Sequence, residues 1–198
     1  MKIISFEGVE GVGKSTQISM LDSYLVSKGI STEVLREPGS TEVGENIRKI
    51  LLNTSANLSN ESELLLMFAA RAQLISEKIS YSDKDVVLFD RFYDASLAYQ
   101  GFGRGLPQEI INSLISFTKC PVPDVTFLLD IEVEEGFNRK FNDKKDRIES
   151  SGKDFFEKVR SGYLVLSHNE PNRIKVLDAK KSIVELHKDI VSFVNIIL

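Results

Sequence analysis

The sequence predicts a doubly wound α/β fold, a five-stranded parallel sheet with helices on both faces. Three observations carry this. Unbroken apolar runs recur, and two of them, Val86–Phe89 and Val125–Leu129, end in an aspartate; such runs suit strands covered on both faces. Segments of helical period separate the runs. A glycine-rich loop joins the first run to the first helical segment, as in a strand–loop–helix unit.

The elements follow in order. Lys2–Phe6 is a short β-rich run. Lys14–Lys28 places Ile18, Leu21 and Leu25 on one helical face, and Gly29 stops it. Thr32–Leu35 reads as the second strand, closed by the turn signal Pro38-Gly39. Glu42–Leu52 and the more apolar Asn60–Ser80 read as helices. Val86–Phe89 and Val125–Leu129 are the third and fourth strands, Asn172–Leu177 the fifth, and Ser182–Val194 a last amphipathic helix. Gly101-Phe102-Gly103-Arg104-Gly105 follows a helical segment and reads as a turn. Residues 142–153 are charged and nearly free of apolar side chains, which leaves two readings, a mobile flap or a solvated loop. In such folds ligands sit at the carboxyl ends of the strands, where Glu7, Arg36, Asp90 and Asp130 fall. Asp130, with no polar motif after it, reads as a sheet-edge or helix-capping residue.

A chain of 198 residues supports one domain with a single core. A net charge of −4 argues against a role on nucleic acid. The single cysteine, Cys120, rules out an internal disulfide and fits a reducing, cytoplasmic setting. Neither the first apolar run nor Ile190–Leu198 is long enough to span a bilayer. His168 and His187 stand without metal-ligand spacing.

Gly8-Val9-Glu10-Gly11-Val12-Gly13-Lys14-Ser15 matches G-x-x-x-x-G-K-[ST] at every fixed position, after a strand and before a helix. Its backbone N–H groups and the helix N-terminus converge on phosphate oxygens. Lys14 supplies charge to the β and γ phosphates, and Ser15, followed by Thr16, offers a hydroxyl to Mg²⁺. The loop and Thr16 are the expected ATP site. Asp90 ends a buried strand as a Walker-B carboxylate does and is the second expected metal contact. No Asn-Lys-x-Asp motif reads guanine.

The loop alone leaves open any small nucleoside or nucleotide kinase, or a nucleotide-dependent switch; other segments narrow the class. Arg36-Glu37-Pro38-Gly39 follows the second strand, Phe68-Ala69-Ala70-Arg71 lies on the long helix, and Asp90-Arg91-Phe92-Tyr93 runs on to Ala98-Tyr99-Gln100-Gly101. With Phe6-Glu7-Gly8 and Asp146-Arg147-Ile148-Glu149, the chain resembles thymidylate kinase from Ile3 to about Ala179. The resemblance implies a nucleoside-monophosphate-kinase-like P-loop fold, one kinase domain over 1–198, transfer from Mg·ATP to dTMP, and a homodimer with helices of one sheet face between subunits. It implies that Glu10 holds the sugar 3′-hydroxyl and that Arg36 and Arg91 grip the dTMP phosphate over Pro38, whose peptide is often cis. It gives Arg71 to thymine O4, Ser96 and the nearby Gln100 to the base, Tyr99 to the sugar C2′, and Arg139 to adenine.

From the residues alone Arg71 also reads as a surface ion-pair partner, Tyr99 as a packing residue and Glu37 as structural. The family's stacking aromatic falls at Met67 here, with Phe68 one residue nearer Arg71; both lie within about 60° of the arginine's face at ~100° per residue, so either is a base contact. Ser40 stands where many members have a second glycine. The P-loop interior holds no arginine, so the expected catalytic set is Lys14, Arg91 and Asp90 with Arg147 from the flap at the transition state. Lys144 and Lys145 stand in reserve, and pairing of Arg147 with Glu149 or Asp146 is the alternative.

Overall fold

The computed structural model describes residues 1–139 and 146–198. Strand β1 (Lys2–Glu7) leads through the glycine loop into α1 (Lys14–Ser27) and then β2 (Thr32–Arg36). Helices α2 (Glu42–Leu52) and α3 (Asn60–Leu74) precede β3 (Val86–Asp90). Next come α4 (Tyr93–Ser96), α5 (Gln108–Phe117), β4 (Val125–Asp130) and α6 (Val133–Arg139). The chain closes with α7 (Lys153–Asn169), β5 (Ile174–Asp178) and α8 (Ile183–Ile197).

The five strands run in the order β2-β3-β1-β4-β5, and every pairing is parallel. Alternation along the central strands divides the core. Ile4, Phe6, Val86 and Leu88 pack with Ile18, Leu21 and Leu25 of α1 and with Ile190 of α8. Ile3, Val87 and Phe89 pack with Leu64, Phe68 and Leu74 of α3 and with Ile111 of α5. Thus the sheet is covered on both faces, as its apolar runs require. Side-chain caps start the helices where hydroxyl residues stand: Thr41 Oγ1 accepts the Gly44 N–H at 2.9 Å, and Ser182 forms a capping box with Glu185.

Several expectations change. The long helix is α-helical only to Leu74 and continues as a π-helical turn over Ile75–Ile79. Gly101, Phe102 and Gly103 are not a turn; they belong to a π-helical segment, Leu97–Gly103, that extends α4. Helix α7 crosses this segment closely: a Cβ on Gly162 would lie 2.7 Å from the Phe102 ring, and one on Gly103 would lie 2.6 Å from the Phe155 ring. The glycines therefore serve helix packing, not chain reversal. Asp130 ends an interior strand, and its carboxylate is gripped by Arg160 of α7 at 2.7 and 2.9 Å. Residues 140–145, which include the start of the expected flap with Lys144 and Lys145, lie outside the described residues. Beyond them, Ile148 is buried and Glu149–Ser151 form a short 3₁₀ turn before α7.

Candidate active site

The carboxyl ends of β1, β2 and β3 open on a cavity of about 940 Å³. Register brings Arg36 beside Asp90, and Phe6 beside Asp90 from the other side. The P-loop forms one wall. Gly8, Gly11 and Gly13 all take positive φ. Gly11 also lies backbone to backbone on the first turns of α6, where any Cβ would overlap the Gly136 carbonyl, and a Cβ on Gly136 would press on Glu10 O. Lys14 is buried and donates to Gly8 O and Val9 O at 3.3 and 3.0 Å. Burial and then the nearby Arg91 pull its pKa down to about 8, against Glu10, Asp90 and Glu7. Ser15 donates to Asp90 Oδ2 at 3.1 Å. This hydroxyl and carboxylate are the pair that could hold Mg²⁺, which takes most of its remaining ligands from phosphate and water; the donor set fits.

Arg91 joins the loop to the acceptor side. It takes a left-handed backbone (φ 67°) rarely adopted by a long side chain. Its neighbours pin it: Arg91 N–H donates to Phe6 O at 3.1 Å, and Phe92 N–H to Glu7 Oε1 at 2.7 Å. Glu7 also accepts from the Tyr163 hydroxyl at 2.6 Å. Burial, then the charge of Asp94, raises the Glu7 pKa to about 8. The Arg91 guanidinium donates to Gly8 O at 2.8 Å and Glu10 Oε1 at 2.5 Å and lies 4.9 Å from the centre of the Tyr99 ring. Burial opposes its charge, but Glu10 holds it firmly protonated.

The far wall is a buried polar cluster. Arg71 is 2% exposed. It donates to Glu37 Oε2 at 2.7 Å, Ser96 Oγ at 3.0 Å and Phe92 O at 3.3 Å. It is no surface ion-pair residue. Glu37 keeps Oε1 buried with no partner among the described residues, and burial raises its pKa against the pull of Arg71. Met67, Arg71, Ser96, Tyr99 and Gln100 all face the cavity. Phe68 does not: its side chain turns into the core, where its ring lies 4.5 Å from the Arg71 guanidinium. Met67 is therefore the cavity residue of that pair, and Phe68 supports Arg71 from behind.

At the mouth, Arg36 is bound by both oxygens of Glu45, at 3.1 and 3.0 Å. Ser40 (φ 65°) braces the turn by accepting Arg36 N–H at 2.8 Å, and the Glu37–Pro38 peptide is cis. Arg48, unnoticed in the sequence, also faces the cavity and donates to Pro38 O at 2.9 Å. Burial and Arg36 lower its pKa. Helical spacing could have found it, because Gly44, Arg48 and Leu51 share the inward face of α2.

Arg147 is the main correction. It does not reach the cavity, which Asp146, Ile148 and Glu149 line instead. Its guanidinium turns back to Leu51 O at 2.8 Å and to Glu63 Oε2 at 2.6 Å, so its partner is neither Glu149 nor Asp146. Arg139 ends α6, donates to Ala179 O at 3.1 Å and stands between the main cavity and a second of about 360 Å³ lined by Gly13, Thr16 and Ile183.

Comparison with known proteins adds to this geometry. A family model described as thymidylate kinase matches residues 6–190. The chain is 43% identical over 206 residues to a thymidylate kinase of Chlorobium luteolum, covering 98% of this chain and 96% of that one. It is 43% identical over 199 residues to a thymidylate kinase of a Thermoanaerobacter species, covering 98% and 97%. A crystal structure of thymidylate kinase from Ehrlichia chaffeensis superimposes with a TM-score of 0.81 at 29% identity, covering 98% of each chain.

Proposed function

The chain belongs to the thymidylate kinase family and phosphorylates dTMP to dTDP, and from that premise we propose how its residues divide the work. ATP phosphates lie in the loop Gly8–Thr16, with Lys14 on the β and γ oxygens and adenine beside Arg139 in the second cavity. Ser15 and Asp90 hold Mg²⁺, which when bound neutralises charge on the β and γ phosphates. The dTMP phosphate lies between Arg36, Arg91 and Arg48 above Pro38. Glu10 accepts from the 3′-hydroxyl, Tyr99 crowds C2′, and Met67, Arg71, Ser96 and Gln100 enclose the base.

The observation that carries this reading is Arg91. One side chain grips the loop carbonyl of Gly8 and the carboxylate of Glu10, so donor and acceptor sites meet at a single cation. No general base is required. A phosphate monoester has its second pKa near about 6, so the attacking oxygen is already ionised. The barrier is the approach of two anions, and the residues lower it with fixed positive charge.

The test is ADP release with a panel of nucleoside monophosphates at saturating Mg·ATP. We expect dTMP to lead, and its ribose analogue to trail by tens- to hundreds-fold, the size of a small steric difference. Equal turnover of deoxy and ribo forms would overturn the role of Tyr99, and indifference to the base the whole assignment of the far wall.

We also propose that the chain is a cytoplasmic homodimer. Among the described residues no helix is long and apolar enough to cross a membrane. Leu65 on α3 and Phe117 on α5 are 58% and 82% exposed, which suits a covered helical face. Sedimentation should give twice 22.2 kDa; a monomer across the micromolar range would reject it.

A further inference from the structure

Glu63 takes no part in the roles above, yet it is 1% exposed and accepts four hydrogen bonds. Arg104 donates through Nε to Oε1 at 3.2 Å and through Nη2 to Oε2 at 3.1 Å. Arg147 donates to Oε2 at 2.6 Å, and Gln100 Nε2 to Oε1 at 2.9 Å. Three segments of the chain therefore meet on one carboxylate: α3, the π-helical segment and the stretch before α7.

The consequence lies in Gln100. An amide side chain has a donor end and an acceptor end, and which end faces a ligand decides what it reads. A carboxylate can only accept. Glu63 thus draws the Gln100 NH₂ toward itself and leaves Oε1 for the cavity. No donor among the described residues bonds Oε1, and Gln100, itself 1% exposed, lines the cavity wall. The neighbouring Arg71 presents only donors. The wall is then a donor beside an acceptor, complementary to thymine, whose O4 accepts and whose N3–H donates. Cytosine shows the reverse pattern.

We infer that Glu63 is a positioning residue for base choice: by fixing the Gln100 amide with its oxygen toward the cavity, it makes the site select the thymine edge and reject the cytosine edge. This rests on the thymidylate reading of the cavity. The two arginines keep Glu63 an acceptor. Burial works against its charge, but the hydrogen bonds from Arg104, Gln100 and Arg147 hold its pKa below the ordinary carboxylate value.

The probe is the pair dTMP and 5-methyl-dCMP, which differ only at the edge in question. A site built around a hydrogen-bonding group rejects an analogue that cannot make the bond by about 10⁴-fold, and the wild type should show a kcat/KM ratio of that order. In Glu63→Gln the arginine donors converging on Oε2 retain an oxygen, while the amide nitrogen in place of Oε1 faces Gln100 and lets it flip, at the cost of the Arg104 Nε bond. The ratio should narrow at least about tenfold, with 5-methyl-dCMP gaining in absolute kcat/KM. A merely structural role would lower both substrates together. A folded Glu63→Gln enzyme with the wild-type ratio overturns the inference.

Gln100→Leu separates the two layers. If it leaves the ratio unchanged, Gln100 does not read the base and the reading of that wall fails. If it moves the ratio and Glu63→Gln does not, only the role of Glu63 fails. Should Glu63→Gln not fold, the wild-type Gln100 side-chain NH₂ resonances decide. Protons protected from solvent exchange with and without dTMP support the clamp, and freely exchanging ones overturn it.

Discussion

Lys14 and Glu7 both titrate near about 8, the lysine lowered and the carboxyl raised, each first of all by burial. Lys14 must be charged to meet phosphate, so in the free enzyme kcat/KM for ATP should fall as pH rises through about 8. The bound phosphates restore the lysine's pKa, so kcat should hold to higher pH; that split between free and bound enzyme is what the two profiles report. Glu7→Gln should keep the falling limb. Its loss in that variant would assign the limb to Glu7. The carboxyl also affects stability. Its folded pKa lies above the ordinary value, so the native state holds a proton that the unfolded chain has released. Stability should then decline as pH rises from about 4.5 toward about 8, and Glu7→Gln should flatten that decline in denaturant titrations. The sequence displayed the loop that carries Lys14 because its motif is contiguous. It did not display Glu7's partners, since Phe92 and Tyr163 come from elements 85 and 156 positions away.

Helix α2 and the stretch before α7 show how an element decides a residue's task. Arg48 sits three residues before the buried Leu51 on the inward face of α2, and its guanidinium fixes the Pro38 carbonyl at the cavity wall. Arg48→Ala should raise KM for dTMP by about tenfold or more, the loss of one charge-assisted contact. Arg147→Ala should leave kcat within about tenfold of wild type while reducing thermal stability, since its guanidinium holds Glu63 and Leu51 O. A thousandfold fall in kcat at saturating substrates would instead return Arg147 to the transition state. Sequence reasoning favoured Arg147 because the P-loop lacks an arginine and the charged stretch holds one. It could not see that α3 places a buried carboxylate opposite. The Met67–Phe68 ambiguity had a similar origin, because the two lie on either side of Arg71's direction and only the tilt of α3 against the sheet separates them.

Across the whole molecule, all five strands were legible, the central β3 and β4 as nearly continuous apolar runs, and the cavity followed from the strand ends; the order β2-β3-β1-β4-β5 was not. What tied the distant parts together was not legible. Arg173, just before β5, reaches Asp94 at 2.6 and 2.8 Å and Thr126 of β4 at 2.9 Å, and Thr126 bonds Ser5 of β1 at 2.7 Å. This buried network fastens the C-terminal third to the strand end that carries Arg91, through polar residues with no spacing to betray them. Asp94→Asn removes a charge from a buried pair, for which losses of about 3–5 kcal/mol are typical. At about 2–4 °C per kcal/mol for a chain of this size, Tm should drop by about 10 °C, read by calorimetry. A shift under about 2 °C would mean that Glu170, which also binds Arg173, suffices alone.

Gly11 and Gly136 touch backbone to backbone, and this restricts how the chain can change over generations. Here neither partner admits one methyl group unless loop and helix separate, and substituting the second glycine cannot relieve the first. Any lineage that departed from this pair would first have to shift α6, and with it Arg139 three positions further on, so the two cavities that Arg139 lines would change together.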